Sequence, residues 1–209
     1  VQAIRYWMRA AQLIDLVDNH PTALGEYIFD LNHGQDPFLE DEGTLWLLHW
    51  LLASNTQMAT SIAWFFSKYH KTNFDQAELR AALSDYLQES VISTRRPANA
   101  TLKNDISVLS RLYVKTQSAV VGEDALDSPL SELGLIVEYG KSAYKSAFEH
   151  HIDLPSEIVG FAILELMFFR DLKIIPVEEL IQSAENYASP GSIFRLNEAS
   201  FMLKIEELA

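Results

Sequence analysis

The sequence has 209 residues, of which 48% are hydrophobic and 11% aromatic, a composition typical of a folded globular protein and not of a disordered one. Its 29 acidic and 16 basic residues give a net charge of −13, which argues against indiscriminate coating of DNA, because phosphate attraction supplies most non-specific binding. The absence of cysteine excludes disulfides and thiolate metal sites, and no apolar run has the length of a membrane span. We therefore expect a cytoplasmic protein with no membrane partner.

The first predicted helix starts at Val1 without a capping residue before it, which indicates a fragment with a further segment upstream. Its apolar residues recur at helical spacing and are expected to face a core: Ile4, Trp7, Met8, Ala11 and Ile14. Arg5 and Arg9 share the other face of this helix. Between residues 13 and 29 the pattern predicts a helix, a short strand and a further turn, like the second half of a winged-helix unit.

An acidic loop at residues 36–43 precedes the most apolar helix of the chain. Thr44 is the predicted cap, and residues 45–52 are apolar nearly all round, so this helix is expected to be central and buried. A second helix follows, with its apolar residues on one face: Met58, Ile62, Phe65, Phe66 and Tyr69.

The middle of the chain has the clearest pattern. Residues 74–88 predict an amphipathic helix, and after a loop at 93–97 a second helix is capped by Asn99 or Thr101 and runs through Val114. Its buried stripe is predicted to be Leu102, Ile106, Leu109 and Tyr113. Residues 135–139 and 144–148 flank a predicted hairpin turn at 140–142. Helix, loop, helix and hairpin follow one another in the order of a winged-helix domain.

A comparable order recurs at the end of the chain. Helices are predicted from Pro155 through Phe169 and from Pro176 through Tyr187, followed by a turn into a short strand at 192–196 and a last helix capped by Asn197. The predicted fold is therefore mainly α, multi-helical, with two or three winged-helix-like units and short β-hairpins. The predicted domains are an N-terminal helical part at 1–72, a central winged-helix-like domain at 73–150 and a C-terminal one at 151–209.

One segment of the acidic chain is locally basic. Residues 93–116 carry five basic residues and one acidic residue, and the side chains expected to contact DNA are Arg95, Arg96, Lys103, Asn104 and Arg111. Arginine and lysine there suit phosphates, while an asparagine suits a base edge. Arg5 and Arg9 on the first helix form a second candidate surface. The alternative is a solvated helix face in a fold that uses its winged helices only for assembly.

The acidic loop is the best candidate for a metal site. Asp36, Glu40, Asp41 and Glu42 are hard oxygen ligands of the kind that hold Mg²⁺, and His33 and His49 lie nearby in sequence. The spacing matches no defined nuclease motif, and consecutive acids at a helix start usually cap it. His49, inside an apolar helix, is predicted to be a hydrogen-bonded core residue.

Other titratable residues have two interpretations each. His150 and His151 are predicted to form a surface pair, because adjacent helical residues point in different directions and do not chelate one ion. Glu165 is expected to be partly buried, either as a catalytic group with a raised pKa or in a salt bridge with a neighbouring base. The sequence has no phosphate-binding glycine loop, nucleophile elbow or nucleophile triad, so no nucleotide cofactor and no catalytic residue is assigned.

Four tracts carry a resemblance to a known family: VQAIRYW at 1–7, DPFLEDEGTLWLLH at 36–49, TLKND at 101–105 and SPLSELGLI at 128–136. Together they resemble the bacterial domain-of-unknown-function family numbered four thousand and seven. The resemblance extends with gaps from the first helix to residues 191–196, and the tract at 43–49 is its most specific piece.

The resemblance implies a setting in DNA phosphorothioation and phage-defence operons, beside a cysteine desulfurase and a sulfotransferase-like partner. Members of the SspB type are regarded as DNA-nicking components. The resemblance therefore implies a DNA-binding component and, beyond that, a nicking role that uses Mg²⁺. The expected partners are DNA, other proteins of the operon and a second copy of the chain. The alternatives are a non-enzymatic protein–protein adaptor and a regulator of the operon.

Overall fold

The computed structural model describes residues 2–90, 98–115, 127–140, 142–183 and 187–209, which are mainly helical. The helices are α1 Gln2–Ala10, α2 Ala23–Phe29, α3 Glu42–Ser54, α4 Thr60–Lys68, α5 Gln76–Ser90, α6 Asn99–Tyr113, α7 Ser156–Phe169, α8 Val177–Ile181, α9 Pro190–Ile193 and α10 Glu198–Glu207, with a 3₁₀ helix at Pro129–Leu133. The strands are β1 Asn73–Asp75, β2 Val137–Gly140 and β3 Ala143–Lys145. The prediction of a mainly α fold is confirmed.

The chain divides into two compact units. Unit 1 comprises Val1–Ser67 and Glu149–Ala209, and unit 2 comprises Lys68–Phe148. The predicted domains 1–72, 73–150 and 151–209 stay a prediction. Along the described ranges, no helix is both long and apolar enough to cross a membrane.

The core of unit 1 is built around α3, as its apolar sequence predicts. Trp46 and Trp50 are almost completely buried, and α3 contacts both α7 and α9. Truncating such a buried tryptophan to alanine typically costs about 3–5 kcal/mol of stability. Asp41, and not the predicted Thr44, caps this helix, because its Oδ1 accepts the Thr44 backbone N–H at 3.3 Å.

The predicted buried stripe of the first helix is confirmed only in part, and its first member is wrong. Ile4 is 64% exposed, and Ala10 is the buried residue of the helix. The helix ends at Ala10 and Gln12 takes a positive φ of 59°, so the chain turns there. Ala11 and Ile14 are buried, but they enter the core from this turn and not from a continuing helix.

The strand predicted before residue 29 is also absent from the described structure. Residues 23–29 form α2, whose N-cap Thr22 accepts the Gly25 backbone N–H at 3.0 Å, and only an isolated bridge joins Ile14 to Pro21. A Cβ at Gly25 would lie 2.1 Å from the Leu13 carbonyl oxygen. Glycine is therefore required at position 25, where α2 approaches the backbone of Leu13.

Two C-terminal predictions need correction. The helix predicted to reach Tyr187 ends at Ile181, and the predicted strand at 192–196 is replaced by α9, with Leu196 forming an isolated bridge to Glu149. Residues 192–196 are all buried, so neither face of this segment is free for the polar-out alternation of a half-buried strand. The cap of the last helix is as predicted, since Asn197 accepts the Ser200 N–H at 2.9 Å.

Unit 2 combines two packed helices with a small antiparallel sheet. The strand order is β1-β3-β2, and the predicted hairpin at 140–142 is confirmed by the pairing of β2 with β3. Phe74, predicted as helical, lies instead in β1, where it pairs with Tyr144 and stacks on its ring. This cross-strand contact explains why the helix α5 begins two residues later.

Candidate nucleic-acid interface

The outer face of α6 carries the predicted DNA-contacting residues of unit 2. The predicted stripe is buried, since Leu102, Ile106, Leu109 and Tyr113 are at most 2% exposed. At about 100° per residue, Lys103, Asn104, Ser107 and Arg111 occupy an arc of roughly 100° on the opposite side of the helix. Lys103, Asn104 and Arg111 are exposed. The helix therefore buries one face and presents a polar, basic face to solvent.

The side chains on this face are lightly engaged. The Arg111 Nε–H donates to the Ser107 carbonyl oxygen at 3.4 Å, a long hydrogen bond one helical turn back. Lys103 and Asn104 have no hydrogen bond to other described residues. A neighbouring cation is less available, because Lys115 forms a 2.6 Å salt bridge with Glu132. Among the described residues, Lys103 and Arg111 of α6 can thus meet an anion without breaking a salt bridge.

The structure describes only part of the predicted basic segment. Asp105 lies beside the buried stripe, and burial raises the pKa of its carboxyl. Arg95 and Arg96 lie outside the described residues, so their part in a basic surface stays a prediction.

The charge of the protein is divided unevenly between the units. Unit 2 contains ten basic and ten acidic residues, whereas unit 1 contains six basic and nineteen. The whole net charge of −13 therefore belongs to unit 1. Unit 2 is neutral, so its long-range repulsion of a polyanion is much weaker than the overall charge suggests.

The β2–β3 hairpin adds an exposed aromatic side chain. Tyr139 is 57% exposed and directly precedes Gly140 at the end of β2, while Lys145 is exposed on β3. Sequence reasoning placed the hairpin but missed Tyr139. An aromatic residue beside a hairpin glycine is the signal that points to it.

Arg5 and Arg9 of α1 do not form one surface patch in unit 1. Arg5 is exposed, but Arg9 is partly buried and its Nη2 donates to Asn19 Oδ1 at 2.7 Å. Arg9 lines a cavity instead of extending into open solvent.

The acidic loop uses its carboxylates to hold its own backbone. Asp36 is buried, and its two oxygens accept the backbone N–H groups of Glu40 at 2.8 Å and Asp41 at 3.1 Å. Burial would raise the pKa of the Asp36 carboxyl, but these hydrogen bonds outweigh it and hold the pKa below its usual value. With Asp41 capping α3, two of the four predicted metal ligands already have structural partners.

The remaining members of the predicted metal set do not complete a site. Glu40 and Glu42 are exposed, and His49 is fully buried with its Nε2 at 2.9 Å from the Ile193 carbonyl oxygen. Among the residues that the structure describes, no group of three or more carboxylates and imidazoles is placed to hold an ion. The loop geometry therefore fits a helix cap better than a Mg²⁺ site.

The two buried histidines belong to the aromatic core of unit 1. His49 packs against Phe66 and Trp46, as the prediction of a hydrogen-bonded core residue implies, and burial lowers its pKa to about 3. His151 was predicted at the surface, but it is buried beside Trp46. The prediction holds only for His150, which is exposed.

Glu165 borders a cavity of about 940 Å³ in unit 1. Its Oε2 accepts the Trp50 indole N–H at 2.5 Å, and burial raises the pKa of the carboxyl. The partner is thus an indole and not the predicted base. Arg170 and Tyr187 also line the cavity, with the guanidinium carbon 3.9 Å from the centre of the tyrosine ring. Sequence reasoning missed both residues.

Comparisons with known proteins agree along the whole chain. The sequence model of the family described as "Protein of unknown function (DUF4007)" matches residues 1–209. The solved structure "Magnesium ion-bound SspB crystal structure" is similar at 28% identity with a TM-score of 0.83, and "SspB crystal structure" at 28% with a TM-score of 0.81. Each match covers 99% of this chain and 64% of the solved chain, so the sequence spans less than two thirds of those proteins. No curated protein matches it.

Proposed function

The chain belongs to the DUF4007 family, and from this premise we propose that it is a DNA-binding component of a phosphorothioation-linked phage-defence system. The observation that carries the proposal is the exposed basic face of α6, where Lys103, Asn104 and Arg111 lie opposite a fully buried stripe. The similarity to SspB supports the defence setting that the family resemblance implies. The other proteins of such an operon are the proposed protein partners.

The arrangement of unit 2 supports a winged-helix-like reader of DNA. In helix-turn-helix proteins the second helix enters the major groove, and here α6 is the second of two packed helices, α5 and α6. The antiparallel sheet that follows has the order β1-β3-β2, with the β2–β3 hairpin in the position of a wing. Winged-helix organisation is proposed for unit 2 alone, because the strands predicted elsewhere are replaced by α2 and α9.

Each residue on the α6 face has a role that suits its chemistry. Lys103 and Arg111 lie two helical turns apart, which places both cations along one side of the helix for contact with phosphates. Asn104 is beside Lys103, and an asparagine amide pairs with the N6 and N7 atoms of adenine. The exposed Tyr139 of the hairpin adds a flat surface near the sugar–phosphate backbone.

Fluorescence anisotropy with a labelled duplex of mixed sequence tests this assignment. The double variant Lys103→Ala with Arg111→Ala should bind at least about tenfold more weakly, because two charge-assisted contacts are lost. The matched control is Lys173→Ala, which removes an exposed cation from unit 1 and should leave the affinity within about twofold. Equal affinities for the wild type and the double variant would contradict the proposal.

A non-enzymatic adaptor is the second candidate, favoured by one apolar surface. The outer face of α7 exposes Phe161, Leu164 and Phe168, and Phe168 is 81% exposed. These residues are spaced at i, i+3 and i+7, the pattern by which an amphipathic helix meets a partner. Single charged substitutions such as Leu164→Lys would abolish partner capture without affecting duplex binding if the chain is an adaptor. Sedimentation of the same variant tests the expected homodimer.

Magnesium-dependent nicking is not part of the proposal, because the acidic loop does not fit a metal site. Asp36 and Asp41 already accept backbone N–H groups, and the described residues bring no third ligand to them. The metal in the magnesium-bound SspB structure is a property of that protein.

A further inference from the structure

The cavity of unit 1 has the size and composition of a ligand site that the DNA-binding face of unit 2 does not use. Its volume of about 940 Å³ lies within the roughly 300–1,000 Å³ range of small-molecule pockets. Residues from α1, α3 and α7 line it, together with Tyr187 and Ala188. These elements are separated in sequence and converge only in the folded unit.

Two of the six basic residues of unit 1 lie at this cavity. The Arg9 guanidinium is held at the wall by its 2.7 Å hydrogen bond to Asn19. The Arg170 guanidinium is held by its position over the Tyr187 ring, and the Tyr187 hydroxyl donates to the Glu179 carboxylate. Both cations are therefore fixed in place before a ligand arrives, which lowers the entropy cost of binding an anion.

The cavity also offers a flat apolar surface. Phe169 is the last residue of α7, lines the cavity and is 70% exposed. Leu166, one turn earlier on the same helix, is buried. An exposed aromatic ring is a surface on which a nucleobase stacks. Stacking on such a ring contributes about 1–3 kcal/mol per base.

A carboxyl group completes the set. Glu165 is fixed by the indole of Trp50, which is itself 2% exposed, and within the described part of the chain only Trp50 donates to it. Its Oε1 accepts no hydrogen bond from the described residues. Carboxylate oxygens accept from the exocyclic amino group of cytosine.

We propose that this cavity binds one unstacked nucleotide of single-stranded DNA, with its phosphate at Arg9 or Arg170, its base against Phe169 and a base amino group at Glu165. The proposal rests on the proposed function only in taking DNA as the ligand. Unit 1 is acidic, so the nucleotide is held by these short-range contacts and not by long-range attraction. The expected affinity for a free mononucleotide is correspondingly weak, with a Kd on the order of 1 mM.

Ligand-detected NMR and calorimetry on the whole chain test the site, with dCMP, TMP and inorganic phosphate as separate probes. The wild type should bind dCMP more tightly than TMP, which has no exocyclic amino group, and both more tightly than phosphate. Arg170→Gln should weaken the binding of both nucleotides about tenfold, because one charge-assisted contact is lost. Glu165→Gln should reduce the preference for dCMP over TMP. The control Lys173→Gln removes an exposed cation near the C-terminal end of α7. It should change neither the nucleotide affinity nor the preference for dCMP.

Thermal unfolding of each variant separates a lost contact from a lost fold. Arg170→Lys is the second variant, and it should restore part of the affinity because it keeps the charge without the planar donor set. Failure of the wild type to bind any mononucleotide, or unchanged binding by Arg170→Gln, would overturn the site. Mononucleotide binding should survive the Lys103→Ala and Arg111→Ala double variant. Duplex binding that is unchanged in this double variant would contradict the proposed function alone, and failure of the wild type to bind mononucleotides would contradict this inference alone.

Discussion

The indole Nε1 of Trp50 donates a 2.5 Å hydrogen bond to Oε2 of Glu165, joining α3 to α7 across 115 residues of sequence. Trp50 is buried in the core, while Glu165 borders the cavity of unit 1. The bond thus connects a residue that stabilises the fold to a residue that lines the cavity. Both the position and the protonation of the Glu165 carboxyl depend on it.

Trp50→Phe should therefore affect Glu165 as well as the core. Phenylalanine keeps most of the apolar volume but removes the only described donor to the carboxyl. The indole hydrogen bond lowers the pKa of Glu165 against the larger effect of burial, so its removal should raise that pKa further. Carbon-detected NMR of the glutamate carboxyl measures the shift.

Comparison with Glu165→Gln supplies the control for this prediction. The pH-dependent signal should disappear in Glu165→Gln and move to higher pH in Trp50→Phe. A carboxyl titration that is unchanged in Trp50→Phe would show that the indole hydrogen bond is not made in solution.

His49 should make the free energy of unfolding fall at mildly acid pH. Burial lowers the pKa of His49 to about 3, below its ordinary value of 6.5. As pH falls below 6.5 the unfolded chain takes up a proton that the folded chain refuses, so stability is lost between pH 6.5 and 3. This single group should cost about 1 kcal/mol between pH 7 and 5.5. Urea unfolding at the two pH values measures the loss.

Two variants distinguish His49 from other titrating groups. His49→Gln cannot titrate and should reduce the loss of stability between pH 7 and 5.5, leaving the part due to His151, whose pKa burial also lowers. His33→Gln removes an exposed imidazole and should keep the pH dependence of the wild type. The same slope in His49→Gln and the wild type would contradict the burial of a neutral ring.

Substitutions at Asp41 test whether this residue caps α3 or binds a metal ion. Asp41→Ala removes the side-chain acceptor for the Thr44 N–H and should lower the free energy of unfolding by about 1 kcal/mol. Asp41→Ser keeps an acceptor without the carboxylate and should cost much less. If Asp41 held Mg²⁺, both variants would instead lose the increase in Tm that the ion produces in the wild type. Thermal unfolding with and without Mg²⁺ therefore decides between the two roles.

Asn104 should influence the sequence preference of duplex binding more than the affinity. Asn104→Ala removes an amide that suits adenine but no charge, so the preference among duplexes should weaken while the salt dependence of binding stays the same. Competition between duplexes that differ at single base pairs measures this. An unaltered preference would remove Asn104 from the base-reading role.

The helix α6 could be predicted from sequence because local and tertiary forces agree there. Leu102, Ile106, Leu109 and Tyr113 repeat with helical spacing, and all four are buried as that spacing predicts. Helical periodicity then places the polar residues between them on the solvent-exposed side. The prediction of the exposed face was therefore as sound as the prediction of the helix.

The segment at 192–196 shows why another part of the fold was mispredicted. Its position after the turn at Pro190 and Gly191 suggested a short strand, but Ile193, Phe194 and Arg195 are completely buried. Arg195 donates to the Phe65 carbonyl oxygen at 2.9 Å and lies over the Phe65 ring, so a charged residue is accommodated inside the core. Tertiary packing of this kind overrides the local preference of a short segment.

The cavity of unit 1 was beyond sequence reasoning for a related reason. Trp50, Glu165 and Tyr187 come together only after α3 and α7 have packed, and no spacing rule links residues so far apart. Glu165 was recognisable as a carboxyl within an apolar helix, but its partner was not.

The salt dependence of duplex binding tests the central claim most directly. If Lys103 and Arg111 of α6 contact phosphates, the slope of log K against log salt should be shallower by about two in the Lys103→Ala and Arg111→Ala double variant, since each lost contact accounts for about 0.9. The slope of Lys173→Ala should match that of the wild type. Equal slopes for the wild type and the double variant would show that α6 is not the DNA-contacting helix.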